Sequence, residues 1–99
     1  MKILITAANS AEAHRLRNKL GLENIILGDY LDLPAFMIIA ASIVILPNPS
    51  STSYTHEMLS LCLDKHIHTI YALREQERIA LNTASQLFKE YDIVIVSST

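Results

Sequence analysis

Short apolar runs alternate with amphipathic stretches along this chain. Lys2–Ala7 (KILITA) is apolar and rich in β-branched residues, which predicts a buried strand. Asn9-Ser10 can cap a helix, with Glu12 three residues after Asn9 in the manner of a capping box. In that helix Ala13, Leu16 and Leu20 share one face, while His14, Arg15, Arg17, Asn18 and Lys19 fall elsewhere. Gly21 ends it as a glycine C-cap. Asn24–Leu27 (NIIL) reads as a second strand, leading to Gly28-Asp29-Tyr30. Pro34 marks a turn or the first turn of a short helix over Ala35–Ala41, a segment with no polar face.

Ser42–Leu46 (SIVIL) is a third strand, stopped by Pro47-Asn48-Pro49. Ser53 or Thr55 can cap the next helix, and Glu57 suits its first turn. Its inner face is Tyr54, Met58, Leu61 and Cys62. Ile67–Leu73 (IHTIYAL) is a fourth strand, Glu75–Tyr91 a long helix with the stripe Ala80, Ala84, Leu87, Phe88, Tyr91, and Asp92–Val96 (DIVIV) a fifth strand. Continuously apolar strands separated by helices call for a parallel sheet covered on both faces. The expected fold is a three-layer α/β domain with a five-stranded, parallel, Rossmann-like sheet of order 3-2-1-4-5, or alternatively the flavodoxin-like order 2-1-3-4-5.

Composition narrows the picture. Ninety-nine residues make one domain, 1–99. With 51% hydrophobic and 18% charged residues the chain is not disordered. A net charge of −2 favours neither nucleic acid nor an anionic membrane. The longest apolar run, Ala35–Leu46, falls short of the roughly 20 residues that span a bilayer. Met1-Lys2 and the short run after it do not read as a signal peptide. The single cysteine, Cys62, excludes a disulfide framework and fits a reducing compartment, so a cytoplasmic location is expected.

Ligands of open α/β sheets bind at the carboxyl ends of strands, near the point where the strand order reverses. Asn9 and Ser10 in the first loop either cap the helix or offer an anion site at its N-terminus. The loop AANSAEA has no glycine, which argues against a dinucleotide. Asp29 is either a turn residue after Gly28 or an acid facing a ribose. Glu75 and Glu77 either line the crevice or complement a helix dipole. Asn9, Ser10, Asp29 and Glu75 are the candidate ligand-binding residues. His66 and His68 supply at most half a zinc site, so no metal site and no catalytic residue are expected. Cys62 reads as core rather than nucleophile.

Several stretches follow one another at telling spacings. They are Lys2–Thr6, Arg15–Leu20, Asp29 with Pro34-Ala35, Tyr54 before Met58–Cys62, and Ile70–Ser98 with Glu75-x-Glu77, Ile79-Ala80-Leu81, Phe88 and IVIVSS. Together they resemble the N-terminal, Rossmann-like pre-ATP-grasp domain of carbamoyl-phosphate-synthase-like ligases. The chain departs from that pattern at Ala8-Asn9-Ser10-Ala11, where a loop glycine is usual, and at Ala72, where a proline often ends the strand. The resemblance implies that ATP and magnesium belong to ATP-grasp domains beyond this chain, which has no cofactor of its own. Alone, it is expected to lack ATPase and ligase activity.

Three functions are consistent with this reading. The first is a non-catalytic, stand-alone binding or self-association module. The second is the N-terminal portion of an ATP-grasp carboxylate–amine ligase, completing an active site in a separately encoded chain. The third is an independent nucleotide-binding Rossmann protein. Self-association as a two-fold homodimer is expected from Phe36, Met37, Ile38 and Ile39, which one monomer has too few elements to cover, beside a strand edge without charge. The opposing possibility is that this segment folds inward as core.

Overall fold

The computed structural model describes residues 2–8, 10–21, 24–30, 35–36 and 43–97. Among them the chain forms β1 (Lys2–Ile5), α1 (Ala11–Leu20), β2 (Ile25–Asp29), β3 (Val44–Ile45), α2 (Tyr54–Asp64), β4 (Ile67–Ala72), α3 (Glu75–Thr83), α4 (Ser85–Glu90) and β5 (Val94–Ser97). All strand pairs are parallel, and the order is β3-β2-β1-β4-β5. The sheet is therefore Rossmann-like, with the first of the two expected orders. Among the described residues no helix is long and apolar enough to cross a membrane.

The central strand β1 pairs Leu4 with Ile26 on one side and Ile70 on the other. Because side chains alternate across a strand, Leu4 and Ile5 feed opposite faces. Leu4 joins Met58, Cys62, Ile70, Leu81 and Phe88 in one core, covered by α2, α3 and α4. Ile5 joins Ala8, Ala13, Leu27 and Ile43 in a smaller core under α1. Short, apolar, β-branched strands with helices on both faces bury their surface in this three-layer form.

Local signals set the helix ends. Ser10 is the N-cap of α1: its Oγ accepts the Ala13 N–H at 3.2 Å, and its hydroxyl donates to the Ala7 carbonyl at 2.7 Å. Gly21 closes α1 at φ 58, a left-handed conformation that costs glycine nothing. Ser53 is the N-cap of α2, but its hydroxyl donates to the Glu57 carboxylate at 3.1 Å instead of holding a backbone N–H. Tyr54, Met58, Leu59 and Cys62 form the buried face of α2, with Leu61 half-buried beside them.

Three expectations are corrected. The segment Glu75–Tyr91 is two helices rather than one, interrupted at Ala84. Asn82 and Thr83 are poor helix formers, and the Thr83 hydroxyl donates to the Ile79 carbonyl at 2.9 Å. Such back-bonding bends and weakens a helix. The inner stripe turns with the break: Glu77, Leu81 and Phe88 are buried, whereas Tyr91 is exposed. Among the described residues of SIVIL, which leave out Ser42, Val44 and Ile45 alone are paired to β2. Gly28 admits the buried Leu46, whose side chain would lie 2.8 Å from a Cβ at that position.

Candidate functional site

The strand order reverses between β1 and β4, so their carboxyl ends frame the crevice where such sheets hold ligands. Among the described residues Thr6, Asp29 and Arg74 stand at these strand ends. Thr6 follows β1 and is fully buried; its Oγ1 accepts the Leu73 N–H at 2.9 Å and ties the two strand ends together. Asp29, the last residue of β2, is 1% exposed. Arg74 grips it side-on, with Nε at 3.3 Å from Oδ1 and Nη2 at 2.9 Å from Oδ2. A guanidinium matches a carboxylate in this two-point geometry, and the charge assistance strengthens both bonds. The bond to Asp29 raises the Arg74 pKa further above its ordinary value. The Arg74 guanidinium carbon also lies 5.5 Å from the Tyr30 ring centroid, and the Tyr30 hydroxyl donates to Gln76 Oε1 at 3.1 Å.

A second carboxyl lies within this cluster. Glu77, on the inner face of α3, is 0% exposed, and neither of its oxygens has a hydrogen-bond partner. The Thr6 hydroxyl favours its charged form, but their approach falls short of hydrogen-bond geometry. Burial pushes the Glu77 pKa up to about 7; Thr6 opposes the rise, Asp29 adds to it and Arg74 opposes it. The Tyr54 hydroxyl is likewise buried without a partner, and its pKa is raised by burial first and by the Glu77 charge second. An apolar environment disfavours the charged form of either group.

The residues singled out from sequence fall in different places. Ser10 is engaged in the α1 cap, which leaves its hydroxyl occupied as donor and acceptor. Asn9 lies outside the described residues. Asp29 lies in the crevice but faces Arg74, and it is the end of a strand rather than a turn residue. Glu75 is exposed in the first turn of α3, two residues before the acid that is buried. Phe36 is helical and 71% exposed; Met37, Ile38 and Ile39 lie outside the described residues. Cys62 is core, its thiol pushed up to about 12 by burial.

Sequence reasoning missed Arg74 and the burial of Glu77. A usable signal existed for the latter: Glu77 stands four residues before Leu81 and eleven before Phe88, on one helical face. The first loop also turns without glycine, because Ala7 itself adopts φ 55. Among the described residues no group of three or more His, Cys, Asp or Glu could hold a metal ion. A surface depression lined by Lys89, Ile93 and Val94 sits at the amino end of β5, away from this cluster. Compared with protein-family models and with curated protein sequences, the chain matches none.

Proposed function

We propose that this chain works as a non-catalytic association module, and that its partner surface is the β3 edge of the sheet. The observation that carries this reading is the exposure of Phe36 and Ile45, at 71% and 68%, within a stretch that has no charged residue between Asp32 and Glu57. Edge strands of monomeric proteins are usually protected by charge, proline or a covering element. The bonding at the strand ends supports the same reading, since Asp29 is bonded to Arg74 and Thr6 to the Leu73 amide. A second copy of the chain is the proposed partner, because two-fold pairing covers the same apolar patch on both molecules.

Sedimentation equilibrium at micromolar concentration tests this. The wild type should run as a dimer, and Phe36→Glu and Ile45→Lys as folded monomers with unchanged circular dichroism. A wild-type monomer across the accessible concentration range refutes self-association. The resemblance to pre-ATP-grasp domains supports a second reading, in which the same edge docks on a separately encoded ATP-grasp chain. Co-expression with a neighbouring ATP-grasp gene separates the two, since a one-to-one complex would replace the homodimer.

A further inference from the structure

Glu77 is the one carboxyl among the described residues that is wholly buried with both oxygens unpartnered. Its surroundings come from four elements. The Thr6 hydroxyl faces it from the end of β1, and the charge of Asp29 reaches it from the end of β2. The charge of Arg74 reaches it from the start of its own helix. The Tyr54 hydroxyl on α2 feels the Glu77 charge, and more weakly those of Cys62 and Tyr30. Two carboxyl groups thus share one guanidinium, and the geometry of that guanidinium is spent on Asp29. An ionised Glu77 would be a second buried negative charge, with the Thr6 hydroxyl as the one neutral donor acting on it and no hydrogen bond of good geometry. A neutral Glu77 removes that conflict. Neutral, it also leaves Arg74 undivided on Asp29.

We propose that Glu77 is a proton-controlled latch on the carboxyl-end crevice: protonated, it is tolerated in the dry interior and leaves the first turn of α3 closed over the strand ends, and on losing its proton it loosens that turn. The movable unit is small. It comprises the Leu73 N–H on Thr6, the Arg74 grip on Asp29, and the Arg78 N–H bond to the Arg74 carbonyl at 2.9 Å. Opening it would expose two carboxylates to water, which relieves the burial of charge. The latch works near neutrality because burial carries the Glu77 pKa up to about 7.

The test combines a direct titration with hydrogen exchange on the full chain. The Glu77 carboxyl carbon, followed by NMR, should titrate near neutrality, which needs no variant. A midpoint in the ordinary carboxylate range overturns the proposal. Above pH 7 the protection factors of the Leu73 and Arg78 amides should fall at least tenfold relative to that of Ile70 in the sheet centre. In Glu77→Gln that relative change should disappear. If all three amides lose protection in parallel, the proton acts on global stability alone and the latch is wrong.

Discussion

At the carboxyl end of the sheet Asp29 and Glu77 are sealed from water, whereas Ile45 on the edge strand β3, and Phe36 before it in the chain, are largely open to it. Both places depart from the usual distribution of polarity, in opposite senses. The interior departure is compensated for one acid and not for the other: Asp29 has Arg74, and Glu77 has no hydrogen bond. The edge departure has a counterpart at the far side of the sheet, but one set among charges. Val94 on the other edge strand, β5, is also exposed, but Lys89, Glu90 and Asp92 precede it closely and are exposed as well. Charges beside an apolar edge discourage pairing with another chain. The two regions therefore differ in what stands beside them, a guanidinium in the crevice and no charged residue along the stretch that holds β3.

The largest effect should follow from breaking the compensated pair. Arg74→Ala leaves Asp29 buried without its cation and should cost about 3–5 kcal/mol in urea unfolding at neutral pH. Asp29→Asn should cost less, because Arg74 is 27% exposed and can turn to water. Equal losses would mean that the pair contributes through shape rather than charge.

Next comes the uncompensated acid. Its folded pKa of about 7 stands above the ordinary value of 4.5, so the native state holds a proton that the unfolded state has lost between those values. Stability is then full below pH 4.5 and falls as pH rises through 7. The 2.5-unit difference between those two values corresponds to about 3 kcal/mol. Urea midpoints for the wild type and Glu77→Gln should diverge in slope across this window, with the variant flatter. Superposed slopes would assign the pH dependence to other groups.

These two acids also mark where sequence reasoning reaches and where it stops. The parallel α/β sheet was legible because β-branched runs such as KILITA and DIVIV recur between helical stretches at crossover spacing, while its order stayed open between 3-2-1-4-5 and 2-1-3-4-5. The place of Asp29 was legible for the same reason, since the end of a parallel strand in this topology faces the crevice. Its partner was not. Arg74 lies 45 residues away, and only the folded sheet brings the ends of β2 and β4 together. Glu75 and Glu77 look alike as first-turn acids, and which one points inward depends on the rotation of α3 about its axis. The four-residue spacing from Glu77 to Leu81 marks that inner face, but the apolar stripe Ala80, Ala84 and Leu87 marks a neighbouring one. The left-handed Ala7 was hidden too, because alanine gives no local sign of such a backbone.

Gly28 links the two regions, and its replacement should rank third. It precedes Asp29 in β2 and lies against Leu46, the residue after Ile45. Gly28→Ala places a methyl 2.8–2.9 Å from Leu46 Cδ2 and Cγ, so the buried leucine must move. Overpacking of this kind costs roughly 1–3 kcal/mol. The shift should also loosen β3, which is held to β2 by the Leu46 N–H on the Asp29 carbonyl at 2.9 Å. A Gly28→Ala protein that unfolds at the wild-type midpoint would mean that the edge strand adapts freely and is not anchored through Leu46.

The smallest expected effect on stability is the one that compares the two edges directly. Ile45 and Val94 are both exposed β-branched residues on edge strands, so either can become lysine with little loss of burial. Each substitution should change the unfolding free energy of the monomer by no more than about 0.5 kcal/mol, as is usual for exposed positions. Their effects on association should nevertheless differ. Ile45→Lys puts a charge into a stretch that has none, where a second β3 edge would have to approach it. Val94→Lys adds a charge where Lys89, Glu90 and Asp92 already stand, and should leave the sedimentation profile unchanged. The reverse pattern, with Val94→Lys dissociating the dimer and Ile45→Lys sparing it, would move the interface to β5. It would also mean that flanking charge does not protect that edge.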